Sequence, residues 1–315
     1  MKFGIAGLGR MGHSLGTLAI EHGHEVVGWD PSDAARERAR SVGLETADDL
    51  RDLAGELPAP RVVLMWVPHG EPVDQNLSVL GEVLGPGDVV ADCGNSQWEE
   101  SRRRHATMAE RDVQFLDIGT SGGISDALGW KGAAFMVGGP RAAFDVVAPL
   151  LRSLAVDDGA VFYAGASSAG HFVKLVHNAI EFGMIQAIAE GVELLQAFDE
   201  ELDVPAVFEH WNHGTVIRSW LVELMGNALR DGAIGAHAGM AADFDLLSTF
   251  VEDTGEVNWV LHWAAQRDVP TPVTTVAQQM LMAYRNVDWP AAKAVALLRN
   301  QFGGHPIRSL DVPRR

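Results

Sequence analysis

Gly7-Leu-Gly9-Arg-Met-Gly12 constrains this chain more than any other stretch of it. It follows the short apolar run Phe3-Gly-Ile-Ala6 and opens a helical stretch lasting to about His22. In such a strand–turn–helix, glycine permits the tight turn and lets backbone N–H groups approach a pyrophosphate at the helix N-terminus. The second strand-like run, His24–Trp29, ends at Asp30, 18 residues after Gly12. A carboxylate near that spacing accepts from a ribose 2′-hydroxyl in dinucleotide folds. Gly7, Leu8, Gly9, Arg10, Met11, Gly12 and Asp30 are therefore expected to form a dinucleotide site. Asp30 would repel a 2′-phosphate, and no arginine follows before Arg36, so NAD is expected over NADP.

The strand rhythm continues at 61–67 and 88–92, with helical segments between. In an open α/β sheet the ligand lies beyond the carboxyl ends of the strands. The loops Val67-Pro68-His69-Gly70 and Cys93-Gly94-Asn95-Ser96 should thus border the nicotinamide, with Val67, Pro68 and Asn95 as its neighbours. Phe115–Ile118 reads as a further strand and Gly119-Thr-Ser-Gly-Gly123 as a loop whose exposed N–H groups suit a carboxylate or hydroxyl. Strands at 134–137 and 161–163 complete this half. From about Ser168 the pattern turns to long helices at 168–198, 204–212, 214–230, 241–251, 257–266, 271–285 and 289–300, with 231–240 irregular. The expected architecture is an α/β Rossmann domain over 1–165 followed by an all-α domain over 166–315. Gly165–Ala169 reads as the hinge between them.

The first of those helices carries Lys174, His177, Asn178 and Glu181 at i, i+3, i+4 and i+7, on one face. Phe172, Val173, Leu175, Val176 and Ile180 fill the other positions, so most of the helix should be buried. Four polar groups on such a helix are costly to bury unless they are paired or bind something. A structural hydrogen-bond network is the competing explanation.

Composition excludes several roles. A net charge of −18 argues against nucleic acid or an anionic membrane as partner. No apolar run reaches the roughly 18 residues of a membrane span. One cysteine, Cys93, excludes an internal disulfide framework and fits a reducing cytoplasm. MKFGIAGLG enters a strand directly, without a signal-peptide pattern ahead of it.

GLGRMG at 7–12, DCGNS at 92–96, DIGTSGG at 117–123, GHFVKLVHNAIEFG at 170–183, VEDTGE at 251–256 and RNQFGGH at 299–305 give a family pattern in order. The chain resembles the 6-phosphogluconate dehydrogenases, more closely their short NAD-type members, within the β-hydroxyacid dehydrogenase superfamily. The superfamily's G-x-x-x-K-x-x-x-N helix is met by Gly170, Lys174 and Asn178, and the decarboxylating branch's histidine and glutamate by His177 and Glu181. The resemblance implies oxidation of a sugar acid at C3 with Lys174 as base, loss of CO₂, and protonation of the enol by Glu181. The product from 6-phosphogluconate would be ribulose 5-phosphate. It further implies that Asn95, Ser121, Gly122, Gly123, His177 and Asn178 orient the substrate and that no metal is required. Arg299 and His305 would reach into a partner subunit's site and grip the substrate phosphate, which makes the chain a homodimer.

Three positions depart from the pattern. Phe182 stands where the family usually has a phosphate-binding tyrosine, Leu281 where it commonly has an arginine, and Ile124–Gly132 is about two residues longer than expected. Arg285, one turn beyond Leu281, is the candidate substitute. Each departure touches substrate recognition and none touches hydride or proton chemistry. Two alternatives therefore stand beside the main reading: a non-decarboxylating β-hydroxyacid dehydrogenase or imine-reducing relative, on a different or unphosphorylated substrate, and a nucleotide-sensing protein without catalysis.

Overall fold

The run Phe3–Ala6 lies within strand β1 (Lys2–Ala6), which leads through the glycine turn into helix α1 (Arg10–Glu21). This is the computed structural model of the chain, and it describes residues 1–122, 132–231, 250–251, 253–284 and 294. There follow β2 (Glu25–Trp29), α2 (Asp33–Ser41), β3 (Glu45–Thr46), α3 (Leu50–Gly55), β4 (Val62–Met65), α4 (Glu71–Val83), β5 (Val89–Asp92), α5 (Trp98–Ala109) and β6 (Gln114–Gly122). After residues 123–131 come β7 (Ala133–Gly138), α6 (Arg141–Ser153) and β8 (Val161–Gly165). The strands form one sheet of order β3-β2-β1-β4-β5-β6-β7-β8. It is parallel from β3 to β6; β7 then runs antiparallel to β6, and β8 parallel to β7.

Val62–Met65 and Val89–Asp92 are buried throughout, as strands covered on both faces must be. One cluster, including Phe3, Ile5, Leu15, Leu64 and Phe135, fills one face, and a second, including Val27, Leu53, Val63, Leu80 and Phe115, fills the other.

The helical half contains α7 (Ala169–Gln196), α8 (Val204–Asn212), α9 (Trp220–Asp231), α10 (Glu256–Ala265) and α11 (Pro272–Ala283). The expected Rossmann sheet followed by helices is what forms. Three local expectations need correction, and one short strand is unexpected. The DIGTSGG stretch is not a loop up to Gly122: β6 continues because Thr120, Ser121 and Gly122 pair with Phe135, Ala134 and Ala133 of β7. The helix expected from 214 starts only at Trp220, because Gly214 takes a φ of +122° and the Ser219 hydroxyl accepts from Val222 N, capping the new helix. The two-residue edge strand β3 has no hydrophobic run to announce it. Residues 250 and 251 are not helical. The rest of the helix expected at 241–251, the loop 231–240 beyond Asp231, and the helix 289–300 apart from residue 294 lie outside the described residues.

The connector at Gly165–Ala169 is tied to the sheet. The two carboxylate oxygens of Asp117, on β6, accept from Ser168 N (2.7 Å) and His171 N (2.9 Å). Asp117 thus supplies from a neighbouring strand the cap that Ser168, with φ +78°, does not give its own helix. Glycine makes the approach possible. A Cβ on Gly170 would collide with Asp117 O, and one on Gly119 with the Cβ of Lys174.

Candidate active site

The glycine turn is shaped by two different demands. Gly7 has φ +94°, and a side chain there would strike Trp66 O; a side chain on Gly12 would strike Gly7 O. A Cβ on Gly9 would meet nothing within 4 Å. Packing therefore requires the outer two glycines, whereas the middle one keeps an open space at the N-terminus of α1. That opening fits a dinucleotide pyrophosphate. Leu8 and Met11 bring backbone to the turn while their side chains pack into the core, and Arg10 is exposed beside it.

Asp30 closes the turn from β2. Its carboxylate accepts from Leu8 N and from Ser32 N, both at 2.8 Å, so the Leu8 amide is already engaged. Arg36 donates to Asp30 O (2.6 Å) and pairs with Asp33. The first arginine after the acid is thus held by its own helix and strand end. Val67 is buried against Gly7 and Gly94, and Pro68 is exposed at the carboxyl end of β4.

Next to that crevice the four-group face of α7 is assembled as its spacing requires. Lys174, only 9% exposed, donates to Asn178 Oδ1 (2.7 Å) and lies 3.3 Å from His177 Nδ1. His177 Nδ1 is also 3.5 Å from Glu181, and its Nε2 is 3.3 Å from Ser121 Oγ on β6. Burial pushes the Lys174 amine below its ordinary pKa, against the opposing pull of Glu181 and then Glu256. Burial and the neighbouring amine likewise lower His177, while Glu181 and Asn178 act against the shift. The arrangement is a buried amine, backed by an imidazole that stands between it and a half-buried carboxylate.

Lys174, His177 and Glu181 of this face line a cavity of about 740 Å³ together with Thr120, Ser121 and Gly122, the apolar Val173, Val176, Ile180 and Met184 of α7, and Ser219, Trp220 and Leu221. Asn95, at the end of β5, donates to Glu256 Oε1 (2.6 Å) and accepts from Asn178 (3.3 Å). Glu256, Asp117 and the α9 contribution of Trp220 and Leu221 were assigned no function by the sequence argument. Glu256 and Asp117 lie inside quoted motifs, but their partners are remote in sequence. Gly123, Arg285, Arg299 and His305 lie outside the described residues. Phe182 is partly buried against the cluster that includes Trp98, Leu175, Ala179, Val257 and Val260, and Leu281 is half-buried on α11.

Residues 2–165 match the NAD binding domain of 6-phosphogluconate dehydrogenase, and residues 170–238 match the C-terminal domain of 6-phosphogluconate dehydrogenase. YqeC of Bacillus subtilis, provisionally named a 6-phosphogluconate dehydrogenase, is 40% identical over 97% of this chain and 98% of its own. The NAD(+)-dependent, decarboxylating 6-phosphogluconate dehydrogenase of Haloferax volcanii is 35% identical over 99% of this chain and 100% of its own. Among solved structures, Plasmodium falciparum 6-phosphogluconate dehydrogenase superposes with a TM-score of 0.80 at 25% identity, covering 99% of this chain and 67% of that one. Fold, glycine turn and relatives together define an NAD-binding oxidoreductase acting on a CH–OH group. The chain belongs to the 6-phosphogluconate dehydrogenase family. No described helix is long and apolar enough to cross a membrane.

Proposed function

We propose that this protein catalyses the NAD-dependent oxidative decarboxylation of 6-phosphogluconate, or of a close sugar-acid relative, to a ketopentose and CO₂. The observation that carries this reading is the desolvated Lys174 amine, held by Asn178 and joined through His177 to Glu181 on the wall of a cavity beside the nucleotide crevice. NAD, held by the turn of residues 7–12, Asp30, Val67, Pro68 and Asn95, supplies the hydride acceptor for C3.

Lys174, neutral at the outset because burial favours that form, takes the proton of the C3 hydroxyl. The protonated amine then donates to the C3 ketone oxygen. This draws the electron pair of the breaking C1–C2 bond into an enol as CO₂ leaves. Glu181, two helical turns on, delivers a proton to the carbon that lost CO₂, while the enol hydroxyl returns its proton to Lys174 and the ketone forms. His177 and Asn178 hold the amine on course, and Asn95, Ser121, Gly122 and Gly123 orient the acid. Arg299, His305 and Arg285 would grip the far end, with the first two reaching across from a second subunit. A homodimer is supported by apolar side chains exposed on α7 (Leu194, Ile185), α11 (Val273, Val276) and the 216–220 segment. The single, buried Cys93 fits the reducing cytoplasm.

A second reading, a different and unphosphorylated sugar acid, is favoured by one feature. Among the described residues lining the cavity Lys174 is the only lysine or arginine, and much of the remaining wall is apolar. NADH formation from 6-phosphogluconate and from gluconate, with CO₂ trapped, tests both. Preference for the phosphorylated acid supports the first reading, activity on gluconate the second, and NADH without CO₂ overturns decarboxylation.

A further inference from the structure

Four side chains form one chain of hydrogen bonds across the cleft. Lys174 Nζ donates to Asn178 Oδ1, Asn178 Nδ2 to Asn95 Oδ1, and Asn95 Nδ2 to Glu256 Oε1. The other Glu256 oxygen accepts from Thr254 Oγ1. Glu256 is only 9% exposed and comes from α10, 161 residues beyond Asn95.

The direction of this chain follows from its two ends. A carboxylate only accepts, so Asn95 must present its NH₂ to Glu256 and its oxygen to Asn178. Lys174 donates to Asn178 Oδ1, and once it has taken up the substrate's proton an ammonium can only donate, so Asn178 must then present its oxygen to Lys174 and its NH₂ to Asn95. The two requirements meet at one donor and one acceptor between the asparagines, with no conflict. Were the Glu256 end neutral and apolar, Asn95 could rotate its amide, and the middle link would set two like groups against each other.

We infer that Glu256 is a positioning residue: its carboxylate fixes the amide orientations of Asn95 and Asn178, and so the place and charge state of the Lys174 amine. It touches none of the reacting groups itself. Among the described residues, the charged or titratable groups facing Lys174 are His177 and Glu181 on its own helix and Glu256 from α10, while β6 presents Gly119. Glu181 exerts the larger pull toward the protonated amine, and Glu256 adds to it.

The assignment concerns the residue proposed above as the base, so its test must not depend on knowing the substrate. The pH dependence of Lys174 acetylation by isotopically coded acetic anhydride, read by mass spectrometry of the peptide, reports the free-amine fraction directly. Glu256→Gln preserves shape and an accepting oxygen but removes the charge. Its Lys174 labelling midpoint should move to lower pH than in the unaltered protein. A midpoint that stays put or rises overturns the inference, whatever the turnover. Glu256→Leu removes the acceptor as well. With any sugar acid that the unaltered enzyme oxidises, it should lower kcat about ten-fold or more while the folded fraction at the assay temperature stays the same. Full kcat in a folded Glu256→Leu protein, or a loss matched only by loss of folded material in a thermal melt, overturns it equally. If no sugar acid is oxidised at all, the proposed substrate fails while the labelling result still decides the role of Glu256.

Discussion

At Lys174 burial and charge oppose each other, and burial prevails. In the proposed role Lys174 must begin neutral, so activity should fall as pH drops through its lowered pKa, where the amine becomes protonated. Lys174→Ala should cut oxidation by about 10²–10⁴-fold. NAD affinity measured by fluorescence titration should be unchanged; a collapse of cofactor binding would instead make the stripe structural. Asp30 presents a different balance. Because it holds Leu8 N and Ser32 N, alanine there would unfasten the turn as well as remove the charge. Asp30→Asn keeps an acceptor and removes the repulsion, so it should lower the ratio of kcat/KM for NAD over NADP by about ten-fold, close to 1.4 kcal/mol. An unaltered ratio would assign the discrimination to another residue.

The central element, α7, is fastened to the sheet at its first turn. Asp117 satisfies two N–H groups there, and burial pushes its carboxyl above its ordinary pKa, His171 and the two amides acting against that shift. Asp117→Ala leaves both donors without their acceptor and should cost about 2–4 kcal/mol in urea denaturation; a loss under about 0.5 kcal/mol would mean that water replaces the carboxylate at the joint. The same element shows what a sequence makes legible. The i, i+3, i+4, i+7 stripe and the β1–turn–α1–β2 unit are local patterns, set by one helix period and one glycine spacing, and both form as read. The continuation of β6 through Ser121 depends on an antiparallel partner after a reversal of chain direction, and no local signal encodes that choice. Glu256 is hidden for a similar reason: nothing near Asn95 indicates that an acid 161 residues later completes its hydrogen bonds.

For the molecule as a whole, the pattern of exposure matters. Leu194 is 74% exposed and Val273 70%, on α7 and α11, whereas the sheet domain buries most of its large apolar side chains in two clusters, Phe162 being its most exposed at 57%. The proposed second copy of the chain, covering the helical half, would account for that asymmetry. If Arg299 and His305 then reach the partner's site, each site is built from two chains, and complementation becomes a direct test. Lys174→Ala and Arg299→Ala homodimers should each be nearly inactive. In a mixed dimer, the site with an intact Lys174 receives its tail from the Lys174→Ala subunit, whose Arg299 is intact, while the other site carries both defects. Random pairing on co-expression should therefore restore about a quarter of the unaltered specific activity. Sedimentation of the mixture would establish the dimer. Activity no higher than that of the separate variants would show that each tail serves its own subunit, and the substrate's far end would then be held by groups of one chain.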